Sequence, residues 1–84
     1  MNKTTVQLDH PFEFEGERVT ELKLRRIKFR DIEDIASLDG EIAKNKRLIC
    51  NLAEVSPDLV SELDAVDVET LTEELAKLMG KQSV

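Results

Sequence analysis

Apolar residues change their spacing once along this chain of 84 residues, near Lys28, and that change fixes the order of what the chain can build. Before it, Val6, Leu8, His10, Phe12 and Phe14 take alternate positions, with Gln7, Asp9, Glu13 and Glu15 between them. A period of two puts one set of side chains on one face of a strand. Pro11 has no amide hydrogen to donate, so the segment is an edge strand or two short strands joined by a kink. Glu15-Gly16-Glu17 supplies a turn. The chain returns through Val19 to Arg26 with Leu22 and Leu24 on one face and Lys23 and Arg25 on the other. The two halves predict a β-hairpin over about residues 5–27. Val19 and Ile27 fall out of phase with the leucines, which predicts a bulge or an apolar contact on the second face.

After Lys28 the period becomes helical. Ile32, Ile35, Ala36 and Leu38 predict a short helix ending near Asp39-Gly40, with the glycine as a left-handed cap. A second helix is expected from Glu41 to Val55, its stripe made of Ile42, Ile49, Leu52 and Ala53 with Leu48 beside it. Ser56-Pro57 pairs a capping serine with a proline at the first helical position, predicting a third helix through Leu63. Asp67 is expected to cap a last helix whose Val68, Leu71, Leu75, Leu78 and Met79 form a stripe and which Gly80 ends. The reading is an α+β fold, one domain over residues 1–84: an N-terminal β-hairpin packed against three to four short helices over about residues 30–79, with a frayed tail over 80–84. A lone hairpin is marginal in water, so the helices must cover its apolar face.

A core of this size supplies only about 3–5 kcal/mol of net stability, and small domains commonly add disulfides, metals or subunits. Cys50 is the one cysteine and His10 the one histidine, so neither an intrachain disulfide nor a Cys/His zinc site can form. Self-association or a partner is the remaining route. The polar start, Met1 to Thr5, and the lack of any long apolar run predict a soluble cytoplasmic protein with no signal peptide and no membrane partner. The formal net charge of -6 is uneven. Arg18, Lys23, Arg25, Arg26, Lys28 and Arg30 crowd one stretch, and acidic residues dominate later ones. Such a balance disfavours nucleic acid as a partner while leaving a local basic band.

No residue pattern carries catalysis. Nucleophilic chemistry needs a base beside the nucleophile, and His10 stands on an apolar strand face next to Pro11. Cys50, between Ile49 and Asn51 and near Leu52, reads as a small buried hydrophobe. The acids Asp31, Glu33, Asp34, Asp64 and Asp67 lack the ligand pattern of a calcium loop and read as helix starts and solvated faces. With no glycine-rich phosphate loop or dinucleotide fingerprint, the sequence implies neither an enzyme nor a cofactor. Four amphipathic elements around one hairpin offer more apolar stripe than one small core consumes, which leaves surface for a partner helix or a second copy.

One stretch carries a resemblance: Leu8-Asp9-His10-Pro11, then Glu15-Gly16-Glu17, then Leu22 to Ile32 with its Leu-Lys-Leu-Arg-Arg strand and its Arg30-Asp31 pair. It resembles the phage tail assembly chaperones of P2-like and Mu-like contractile-tailed phages and prophages. Leu48-Ile49, Leu52, Leu63-Asp64 and Asp67 extend the likeness, which runs from Leu8 to Leu75. The chain departs from the pattern at Ile27, where relatives commonly carry proline, and an aliphatic residue there could lengthen the strand.

The resemblance implies a protein that escorts the tape measure protein during tail assembly and is absent from the finished virion. It also implies contact with the tail tube protein and, in many members, a longer form made by ribosomal frameshifting. Met79-Gly80-Lys81 would encode the slippery heptamer G-GGA-AAR if the Gly80 codon is GGA; otherwise Gly80 is simply a helix cap. The partner surface expected on this reading combines Arg25, Arg26, Lys28 and Arg30 with the aliphatic stripe Val68, Leu71, Leu75 and Leu78. Two alternatives stand beside it: a nucleic-acid-binding regulator that uses the band Arg25–Arg30 against phosphates, and a structural component of the tail.

Overall fold

The computed structural model describes residues 3–80. Strands β1 (Thr4–Phe14) and β2 (Glu17–Leu24) come first, followed by helices α1 (Phe29–Ala36), α2 (Glu41–Ala53), α3 (Pro57–Ser61) and α4 (Ala65–Leu78). The fold is the expected α+β arrangement. β1 and β2 pair antiparallel across a turn in which Glu15 (φ 50) and Gly16 (φ 82) both have positive φ, as a tight hairpin turn that follows strand twist requires.

The ladder has two registers. Phe14 pairs with Glu17, Glu13 with Arg18 and Phe12 with Val19, then Gln7 pairs with Glu21, Val6 with Leu22 and Thr4 with Leu24. Between them Leu8, Asp9, His10 and Pro11 oppose Thr20 alone. The kink expected from Pro11 is therefore a bulge in β1, and Val19 owes its phase to this shift in the opposite strand. β2 stops at Leu24, short of the expected Ile27, because the Arg25 amide leaves the ladder and donates to the Leu52 carbonyl at 3.1 Å.

The helix boundaries follow local chemistry. α1 ends at Ala36, and Gly40 (φ 92) precedes α2 instead of capping α1. Glu54 closes α2 in a left-handed conformation (φ 58), and the Val55 amide returns to the Cys50 carbonyl at 3.1 Å. α3 starts as expected, with Ser56 Oγ accepting from the Leu59 amide at 3.2 Å, but ends at Ser61. α4 begins earlier than expected: Asp64 caps it by accepting from the Val66 amide at 2.9 Å, and Asp67 turns inward. Gly80 (φ 71) follows the end of α4, and residues 81–84 of the expected tail lie outside the described residues.

One core unites the elements. The hairpin contributes Val6, Leu8, Leu22 and Leu24, and Ile35, Leu48, Ile49, Leu52, Val60, Leu63, Leu71 and Leu75 come from the helical half. Ile42, expected on the buried stripe of α2, is instead 86% exposed. Among the described residues no helix is long and apolar enough to cross a membrane.

Candidate functional site

A groove of about 600 Å³ opens between α2, α3 and the first half of α4. Its floor is aliphatic, formed by Ile49, Val60 and Leu63, with Val68 and Ala65 on the α4 side and Ile42 on the α2 side. α3 is only five residues long, so it brings Val60 to the core without roofing the gap between its longer neighbours. Glu69, Thr72 and Glu73 rim the α4 side, and Asn45 and Lys46 rim the other, where Lys46 Nζ donates to Ser61 Oγ at 2.7 Å. An open aliphatic trough with a polar edge suits the apolar face of a helix or a large side chain.

A second recess, about 590 Å³, is polar and built on Arg25. The Arg25 guanidinium grips Asp31 with two parallel hydrogen bonds of 3.0 Å, and its Nη1 also donates to the Arg26 carbonyl at 2.9 Å. Asp31 is 2% exposed and accepts from the Lys28 amide at 2.8 Å, which ties the start of α1 to the end of the hairpin. The Arg25 guanidinium is the main cause that holds the Asp31 carboxyl below its ordinary range, against the opposing effect of burial. Asp34 is also held low, first by Asn51, which donates at 2.9 Å, and then by Arg47 at 3.0 Å. Arg25, Asp31, Asp34, Arg47 and Asn51 form one paired network whose chemistry is structural, and Arg30 and Glu33 line the recess outside any ion pair among the described residues.

The residues expected to form one partner surface are therefore divided. Arg25 belongs to the ion pair, whereas Arg26, Lys28 and Arg30 are exposed and form no ion pair among the described residues. Leu71 and Leu75, 0% and 2% exposed, are spent in the core. Val68 lines the groove and Leu78 packs half-buried against the core. Sequence reasoning missed Ile49, Val60, Leu63, Glu69 and Glu73 as groove residues, and only the isolated position of Ile42 at the start of its stripe hinted at an open end.

Among the described residues, neither His10 nor Cys50 stands as an activated nucleophile. His10 is exposed on the bulge, and burial pushes the Cys50 thiol up, away from the reactive thiolate. Among the described residues no group of three or more His, Cys, Asp or Glu side chains could hold a metal ion.

No curated protein and no solved structure matches this chain. A family model described as phage tail assembly chaperone proteins, E, or 41 or 14, matches residues 5–80, from the first strand to the glycine after the last helix. That span takes in the hairpin, the bulge, the ion pair and the whole groove, and the chain belongs to this family of phage tail assembly chaperones.

Proposed function

We propose that the protein is a non-enzymatic chaperone that binds the tape measure protein in the host cytoplasm during tail assembly and leaves before the virion is complete. The observation that carries this reading is the groove between α2, α3 and α4, an aliphatic trough with Ile42 fully presented on one wall. A tape measure chain is long and helix-rich, and before the tube forms around it its apolar stripes need cover. A groove that accepts such a stripe serves that need without any catalytic group. The tail tube protein and a frameshift-extended form of the chain are further partners on this reading, and the Gly80 codon decides whether the heptamer exists.

The test is co-expression of the tagged chain with the long open reading frame beside its gene. Capture of that protein by the wild type, reduced at least about tenfold in the variant Ile42→Asp, is the expected result. Retention of nucleic acid alone, lost as salt rises, would replace this reading with the regulator. Recovery of the chain in purified virions would replace it with a structural tail component.

A further inference from the structure

Two large apolar side chains stand out in solvent, Phe29 at 75% exposure and Ile42 at 86%, and they belong to opposite kinds of surface. Phe29 sits between Lys28 and Arg30, with Arg26 just before them, and these three exposed cations form no ion pair among the described residues. Ile42 walls the groove, whose α4 side carries Glu69 and Glu73 one turn apart, likewise outside every ion pair among the described residues. Among the described residues the one cation lining the groove, Lys46, is turned toward Ser61.

We propose that a second copy of this chain occupies the groove, with its Phe29 against Ile42 and Val68 and its Lys28 and Arg30 beside Glu69 and Glu73. The groove is large enough for an aromatic ring and the aliphatic stems of its basic neighbours. Charge complementarity decides the partner: an aromatic knob set in unpaired cations meets an apolar hole edged by unpaired carboxylates. No residue from Arg26 to Arg30 lines the groove, so both faces of one chain are free to engage different neighbours. Such a contact is heterologous, and copies add head to tail until a ring closes or the chain of subunits ends. The inference rests on reading the groove as the tape measure site and adds its regulation: free chaperone covers its own grooves, and the tape measure protein displaces the neighbouring Phe29.

Light scattering on the full chain over about 5–200 μM at low salt tests this. The wild type should grow beyond a monomer with concentration, and added salt of about 0.5 M should weaken the growth. Phe29→Asp and Ile42→Asp alter exposed positions outside the core, and each should weaken association at least about tenfold while circular dichroism stays unchanged. Mixed together, the two variants should form a 1:1 heterodimer and nothing larger, because each keeps one working face. A wild type that stays monomeric, a Phe29→Asp chain that associates like the wild type, or variants that fail to pair when mixed would each overturn the proposal. Phe29→Asp should still capture the tape measure protein. Association that holds while capture fails for every chain would discard the tape measure reading and keep the head-to-tail contact.

Discussion

Asp67 Oδ1 lies 2.7 Å from the backbone nitrogen of Asp9, and its Oδ2 lies 3.0 Å from that of His10, so one carboxylate on α4 takes up two amides that the bulge in β1 removes from the ladder. Asp67 is 1% exposed, and these bonds join residues 58 and 57 positions apart in the chain. A carboxylate this buried needs donors, and here they come from the first strand. The bulge and the docking of α4 are thus one structural feature.

Replacing Asp67 with alanine should remove both bonds and cost about 2–4 kcal/mol, the range for losing two charge-assisted hydrogen bonds. Asp67→Asn, which keeps the size but offers a single acceptor oxygen, should cost less, about 1–2 kcal/mol. Urea titration gives the loss. Hydrogen exchange should show faster exchange at the Asp9 and His10 amides specifically, and unchanged exchange there would rule out the clamp.

How much of this was legible follows from which forces are local. The hairpin, its Gly16 turn, the Ser56-Pro57 helix start and the Gly80 end are set by neighbours in sequence, and each is found where expected. Asp67 was misread as a cap because any aspartate before an apolar run resembles one, whereas Asp64 fills that role and Asp67 answers a bulge in the first strand. Arg25 looked like a member of a basic band because its partner Asp31 is decided by how β2 meets α1. The groove was invisible for the same reason: the stripe of α2 shows that Ile42 is apolar, and only the brevity of α3 decides that it stays uncovered.

Stability should fall in acid through Asp31. Its carboxyl is held below the ordinary range in the folded state, chiefly by Arg25, so its contribution is complete above the unfolded value of about 3.9 and is lost as pH falls through the lower folded value. Asp34, held low by Asn51 and Arg47, acts in the same direction. Asp31→Asn should be about 2–4 kcal/mol less stable than the wild type at pH 7, and the gap should narrow below about pH 4. Urea midpoints between about pH 2.5 and about pH 7 measure it. A constant gap across that range would show that the pair does not carry the acid sensitivity.

The last helix and α2 carry apolar residues with different duties, and truncation separates them. Leu71→Ala or Leu75→Ala opens a cavity in the core and should cost about 2–5 kcal/mol. Ile42→Asp removes a side chain that touches mainly solvent and should change stability by about 0.5 kcal/mol or less. Thermal melts of the three variants decide between these duties. An Ile42→Asp chain that melts like Leu71→Ala would mean that Ile42 supports the core and that the groove is closed in solution.

The basic stretch should likewise split under mutation. Arg25→Ala leaves the buried Asp31 carboxylate with only the Lys28 amide and Asn51, and should cost about 2–4 kcal/mol. Arg25→Lys keeps the charge but not the two parallel bonds, so it should recover only part of that loss. Changing Arg26, Lys28 and Arg30 together to glutamate touches exposed side chains and should leave stability within about 1 kcal/mol of the wild type. The same triple variant should weaken self-association, since those cations form no ion pair among the described residues and would meet Glu69 and Glu73 across the proposed contact. Urea titration read beside light scattering separates the two roles: a triple variant that unfolds as readily as Arg25→Ala would make the whole stretch structural, and stable monomers would place its charge at the interface.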